Sequence, residues 1–182
     1  MARISYVEPT QAQPEVQEIY EKTLKGKPTS TQKALAHRPE LLKNFLAFYA
    51  SVGRKLDSNS TVGRRLYELV YIRVSMINQC HYCMQHHLSS SQRAGLTPED
   101  WKALKNPATS SFTDKEKAAL AFAEKLTRSP HDISDADISA LKPHFNDGEI
   151  VDLDMLIGLA NLTNRLTDPL GMDLEFPAIA IE

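Results

Sequence analysis

Between Leu66 and Ile77 the chain places Leu66, Leu69, Val70, Ile72, Met76 and Ile77, so a helix drawn through them is apolar around much of its circumference. Such a helix has to be enclosed, and the segments on either side of it read as helices too. Pro14 at a first-turn position, the run 15–24 and Gly26 as a stop outline an opening amphipathic helix. A connector of disordered character follows. Pro39 then opens a helix over 40–56, in which Leu41, Leu42, Phe45, Leu46 and Tyr49 recur at spacings of three and four. Asp57-Ser58-Asn59-Ser60 reads as a turn that also offers N-caps, and the pattern restarts at Thr61.

A break at Asn78-Gln79 leads to a helix from about Cys80 to Ala94, with Gly95 as its stop. Thr97-Pro98-Glu99-Asp100 starts a short helix carrying Trp101, and Thr113-Asp114-Lys115-Glu116 is a capping box for 115–128. Ser134 caps another short turn. Asn146 caps a helix over 147–165, before Pro169 and Gly171 stop it, and residues 174–182 read as an extended arm. No segment carries the two-residue alternation of a half-buried strand. The expectation is one all-α domain spanning residues 1–182, with N-terminal helices in 1–56 packed on a core formed by 60–172.

At 182 residues the chain can bury one substantial core without metals or crosslinks. Its 21 Lys+Arg against 23 Asp+Glu, with no basic run longer than Arg64-Arg65, leave no electrostatic footprint for nucleic acid. Apolar stretches such as 156–160 are far short of the roughly 18 residues a membrane span requires, and residues 1–6 lack the apolar core of a signal peptide. The expected location is cytoplasmic, without membrane or nucleic-acid partners.

In that setting Cys80-His81-Tyr82-Cys83 speaks of redox chemistry or metal rather than a structural staple. On a helix starting near Cys80, the residues Cys80, Cys83 and His87 stand at i, i+3 and i+7 on one face. Cysteines so spaced have Cα atoms within roughly 4.4–6.8 Å, which permits a reversible disulfide. The unpaired N–H groups and positive dipole end of a helix N-terminus favour thiolate. Glu68 lies twelve residues before Cys80 in an apolar context where a carboxylate is costly to bury unless it is hydrogen-bonded or protonated. Either it forms the distal end of a proton relay through His87, or it pairs with Arg64 or Arg65 one turn away. The cysteines also admit two plainer readings: buried apolar thiols, or a zinc set of Cys80, Cys83 and His87 with His81 or His86 as fourth ligand. Covalent haem attachment is excluded because Met84, not His, follows Cys83. His81 and His86 read as surface groups and Tyr82 as packing at a pocket rim. Asn161, Asn164, Arg165 and Asp168 read as capping and pairing around the end of the last helix.

Glu68, twelve residues, Cys80-His81-Tyr82-Cys83, three residues, His87: this composite spacing resembles the active-site signature of the AhpD-like superfamily, also called the carboxymuconolactone decarboxylase family. The likeness extends through His37-Arg38-Pro39-Glu40-Leu41-Leu42 and through Ala160-Asn161-Leu162-Thr163-Asn164-Arg165, and is nearest to the peroxidase-related branch. It implies an all-α helical bundle assembled into homo-oligomers, trimers or hexamers. It also implies a cofactor-free thiol peroxidase or disulfide reductase that takes a peroxide or disulfide substrate and an external dithiol reductant. By position Cys83 would be the peroxidatic cysteine, Cys80 its resolving partner, and Glu68 with His87 the relay, so that the Cys83 thiol titrates well below the roughly 8.5 of a free cysteine. Tyr82 departs from the histidine that the best-known hydroperoxidases carry before the second cysteine. Family members acting as lactone decarboxylases lack the cysteine pair. The alternatives are a decarboxylase-like enzyme using Glu68 and His87 without redox chemistry, and a non-catalytic oligomeric scaffold.

Overall fold

The computed structural model describes residues 2–54 and 63–180. Among these residues every regular element is helical: α1 (Pro14–Glu18), α2 (Ser30–Leu35), α3 (Pro39–Arg54), α4 (Arg64–Ile77), α5 (His81–Ser91), α6 (Pro98–Ala103), α7 (Asp114–Arg128), α8 (Asp135–Leu141) and α9 (Asp147–Leu170), with a π-helical turn at Ile19–Thr23 continuing α1 and short 3-10 turns elsewhere. The all-α expectation holds. No helix among the described residues is long and apolar enough to cross a membrane. Leu56, the turn expected at Asp57-Ser58-Asn59-Ser60 and the restart at Thr61 lie outside the described residues.

The helix with apolar residues on most sides is the axis of the fold. α4 packs against α5, α7 and α9 at once, and its Leu69, Val70, Ile72 and Val74 are wholly buried. Ala119 and Ala123 of α7 and Ala160 of α9 are buried to the same degree, and such small side chains let the helix axes approach closely. A second apolar cluster of Val16, Tyr20, Leu35, Ala36 and Leu42 holds the N-terminal segment together, and Phe45 of α3 touches both clusters.

Two expectations change. The connector before Pro39 contains α2, whose Thr29 and Gln32 form a reciprocal capping box; the T-x-x-Q spacing supplies both missing backbone partners, enough to order one short helix. α9 does not stop at Arg165 but runs through Pro169 to Leu170 before Gly171 turns left-handed at φ 62. Proline in a final turn removes one hydrogen bond without breaking the turns before it. Gly171 and Met172 close the end by donating to the Asp168 and Thr167 carbonyls.

Beyond Gly171 the arm is extended, as its sequence suggests, and is tied across α5. The Gln85 side chain exchanges two hydrogen bonds with the backbone of Ile179, at 3.0 and 2.6 Å. Glu175 accepts from the Tyr82 hydroxyl at 2.9 Å and from the Ser30 N–H at the start of α2, and pairs with His86 Nε2 at 2.8 Å. Burial raises the Glu175 pKa, but the hydrogen bonds from His86, Ser30 and Tyr82 outweigh it and bring it down to about 2.

Two measurements test this framework. Leu69→Ala should lower unfolding stability by about 2–5 kcal/mol in chemical denaturation, because a wholly buried leucine leaves a cavity among four helices. Glu175 has a depressed pKa in the fold, so its contribution is present above its ordinary value of 4.5 and is lost as pH falls toward about 2. Glu175→Gln at neutral pH should speed amide exchange in residues 174–180 by about tenfold, as loss of hydrogen bonds to a charged group implies, and the wild type should loosen in the same way on acidification. Unchanged exchange in both would mean that the arm is held elsewhere.

Candidate active site

The site is set by how α4 ends. Asn78 is its last cap, Gln79 takes a left-handed φ of 57, and the N–H groups of Gln79 and Cys80 bond back to the Met76 and Ser75 carbonyls. This is a Schellman turn with glutamine at the position that glycine usually fills, at a cost of about 1 kcal/mol. The turn is pinned from outside: Asn78 Nδ2 donates to Asn161 and Asn164 Oδ1, each at 2.9 Å, and Asn164 Nδ2 donates to Ser75 Oγ at 3.1 Å. The two asparagines therefore anchor the α4–α5 turn on α9 rather than capping the end of α9.

Emerging from that turn, Cys80 is the N-cap of α5 and Cys83 sits in its first turn. Cys80 Sγ accepts the Cys83 N–H at 3.5 Å. Thr167 of α9, which was not among the residues singled out in the sequence, places its hydroxyl oxygen 3.2 Å from Cys80 Sγ and 3.1 Å from Cys83 Sγ. Both thiols are free and buried. They are coupled through one proton. The Cys83 S–H lowers the Cys80 pKa to about 7, helped by Thr167 and the Cys83 N–H, and the same interaction together with burial pushes Cys83 up. The Cys83 N–H that the N-cap position collects favours charge on Cys80, whereas the sequence reading places the low thiol at Cys83.

Glu68, wholly buried in α4, faces α5 and touches His87 one turn beyond Cys83: Oε2 to Nδ1 is 2.7 Å. Its other oxygen lies 2.7 Å from the guanidinium of Arg64, whose side chain is 47% exposed. One carboxylate therefore makes both contacts that the sequence offers as alternatives. Burial raises the Glu68 pKa, but the hydrogen bond and charge of His87, with Ser90 and Arg64, hold it below its ordinary value. Burial is the largest influence on His87 and pushes its pKa down, against the pull of Glu68. Donation from Nδ1 to the carboxylate assigns the tautomer and leaves Nε2 as a base. Tyr71 stacks on the ring with centroids 3.5 Å apart, and its hydroxyl meets Thr163 Oγ1 at 2.5 Å.

Cys83 and His87 line a cleft of about 150 Å³, walled by Phe45, Tyr49, Tyr71 and Tyr82. Cavities of that size accept a molecule such as benzene. His86 is held by Glu175 and His81 is exposed, so neither completes a zinc set with the cysteines. Among the described residues no group of three or more His, Cys, Asp or Glu side chains is placed to hold a metal ion.

Comparison with known proteins agrees with this arrangement. The carboxymuconolactone decarboxylase family profile matches residues 39–125, which include Glu68, both cysteines and His87. The uncharacterized protein YdfG of Bacillus subtilis (strain 168) is 30% identical over 119 residues, covering 64% of this chain and 81% of YdfG. Among solved structures, an uncharacterized peroxidase-related protein from Ralstonia eutropha JMP134, described as having an alkylhydroperoxidase AhpD core, superposes with a TM-score of 0.81 at 26% identity over 94% of this chain and 91% of its own. The debrominase Bmp8 shares the fold at 18% identity, with a TM-score of 0.74 over 89% of this chain and 87% of its own. With the fold, the Glu-Cys-Cys-His spacing and these similarities in agreement, the chain belongs to the carboxymuconolactone decarboxylase family, within the AhpD-like superfamily.

Proposed function

We propose that this protein is a thiol peroxidase that needs no cofactor and cycles Cys80 and Cys83 between dithiol and disulfide. The observation that supports this best is the shared environment of the two sulfurs, one at a helix N-cap and one on an aromatic cleft beside a histidine held by a buried carboxylate. His87 Nε2 takes the proton of Cys83 as its sulfur attacks the terminal oxygen of a hydroperoxide. The O–O bond breaks, His87 returns the proton to the leaving alkoxide, and Cys83 is left as sulfenic acid. The Cys80 thiolate then attacks the Cys83 sulfur, releasing hydroxide that is neutralised to water and closing the disulfide. An external dithiol regenerates the pair by thiol–disulfide exchange. Glu68 stabilises the transient imidazolium. The cleft suits a small alkyl or aryl hydroperoxide, and a reducing cytoplasmic location would supply the dithiol.

Consumption of cumene hydroperoxide with dithiothreitol tests the reading. Cys83→Ser and Cys80→Ser should each abolish turnover. Glu68→Gln should lower it by about 10²-fold or more, as loss of general acid–base support does. In the reduced protein, alkylation of the dithiol should quicken as pH rises through about 7, where Cys80 ionises. Mild oxidation should remove two alkylatable thiols. Turnover that survives Cys83→Ser but not Glu68→Gln would replace this mechanism with acid–base chemistry.

The protein also acts as a homo-oligomer, a trimer or hexamer, in this reading. α9 exposes Val151, Met155 and Leu162 on one stripe, with Gly158 between them open to space. A stripe of that kind on a long helix is costly to leave wet. Light scattering should give a multiple of the 20.4 kDa chain mass, and Leu162→Glu should lower it. A wild-type monomer at micromolar concentration would refute the assembly.

A further inference from the structure

Thr167 comes from α9, far in sequence from both cysteines, yet its hydroxyl is 3.2 Å from Cys80 Sγ, 3.1 Å from Cys83 Sγ and 2.9 Å from the Thr163 carbonyl oxygen. A hydroxyl has one proton to donate and two lone pairs with which to accept. The three contacts therefore depend on the state of the sulfurs. In the dithiol, both S–H groups can point at Oγ1 while the O–H is given to the Thr163 carbonyl. Once a sulfur is charged it becomes the strongest acceptor within reach. Turning the O–H toward it costs little, because the Thr163 carbonyl keeps the backbone bond from the Thr167 N–H. In the disulfide neither sulfur carries a proton or a charge, and the hydroxyl goes back to the carbonyl.

The charged groups around the sulfurs leave this hydroxyl much to do. His87 on α5 is pushed toward its neutral form by burial. Asp168 on α9 carries a like charge that opposes the thiolate of Cys80. Tyr49 of α3 and Tyr71 of α4 are both raised, chiefly by burial, and so stay protonated. Arg64 is engaged with Glu68, itself an anion. No full positive charge among these groups balances the thiolate, which leaves hydrogen bonds: the Cys83 N–H at a long 3.5 Å, the Cys83 S–H, and Thr167.

We propose that Thr167 is a positioning residue for the dithiol whose hydroxyl donates to the thiolate in the reduced protein and withdraws to the Thr163 carbonyl in the disulfide. This deepens the redox reading of Cys80 and Cys83 and rests on it. It assigns part of the reactivity to a residue outside the Cys-x-x-Cys segment, at a position where the dithiol needs a hydroxyl rather than mere volume.

The test is a titration of the reduced protein, following thiolate ultraviolet absorbance against pH in wild type, Thr167→Val and Thr167→Ser, with circular dichroism to verify folding. Valine keeps the branched shape and loses the hydroxyl. Its first thiol midpoint should rise by about one pH unit, the scale of one lost hydrogen bond to a charged group. Serine keeps the hydroxyl, fills less space and should titrate close to wild type. A wild-type midpoint in the valine variant, or a serine variant that shifts as far as valine, would overturn the proposal. The titration uses no peroxide, so absence of wild-type turnover would count against the peroxidase reading alone.

Discussion

A carboxylate with no exposed surface at the centre of a helical core governs the arrangement around it. Glu68 is held there by the ion pair of one oxygen with Arg64 and the contact of the other with His87, each at 2.7 Å. Desolvating an ion of that size costs several kcal/mol unless partners of good geometry replace the lost water. This fixes the register of α5 against α4: a rotation of α5 that removed His87 would leave half of the carboxylate without a partner. Tyr71, stacked on the imidazole and hydrogen-bonded to Thr163, extends the constraint to α9. The most expensive group in the core thereby holds three helices in register, and the histidine it holds is the one that lines the cleft.

The cysteine pair depends on a second constraint, in the backbone. Gln79 adopts a left-handed conformation where glycine would be cheaper, and Asn78 is fastened to two asparagines of α9. That strained, well-anchored turn delivers Cys80 as an N-cap and brings both sulfurs under Thr167. Had α9 ended at Arg165, Thr167 would stand outside the helix with no fixed direction. Its continuation through Pro169 is thus part of the site as well as of the scaffold.

Periodicity, caps and stops made most of the helices legible in the sequence, because each is a local effect: Thr113 with Glu116 and Asn146 with Glu149 cap as their spacing predicts. Cys80, Cys83 and His87 could be placed on one face for the same reason. What stayed hidden depends on contacts across many positions. Thr167 sits 84 and 87 residues from the two sulfurs it touches, and Glu175 sits 89 from His86. A threonine on a helix carries no mark of its partner. The only local hint was polar residues on the buried face of α9, Thr163, Asn164 and Thr167, where solvent-side chemistry has no place. The backbone donor to Cys80 was hidden likewise, since it turns on Cys80 being the cap itself rather than the first residue inside the helix.

Tyr82 stands where the resemblance would place a histidine, and its contacts differ from what an imidazole would make. A histidine before the second cysteine can carry protons near neutral pH, whereas the Tyr82 hydroxyl is pushed up by burial and remains a donor. That hydroxyl donates a hydrogen bond to Glu175, so the residue serves to fasten the C-terminal arm along the rim of the cleft. His86, the other imidazole at that rim, is held by the opposite oxygen of the same carboxylate. Proton traffic in the proposed cycle then falls to His87 and the dithiol itself, and the rim becomes a matter of shape: whatever enters does so past an aromatic pair and an arm anchored by one carboxylate.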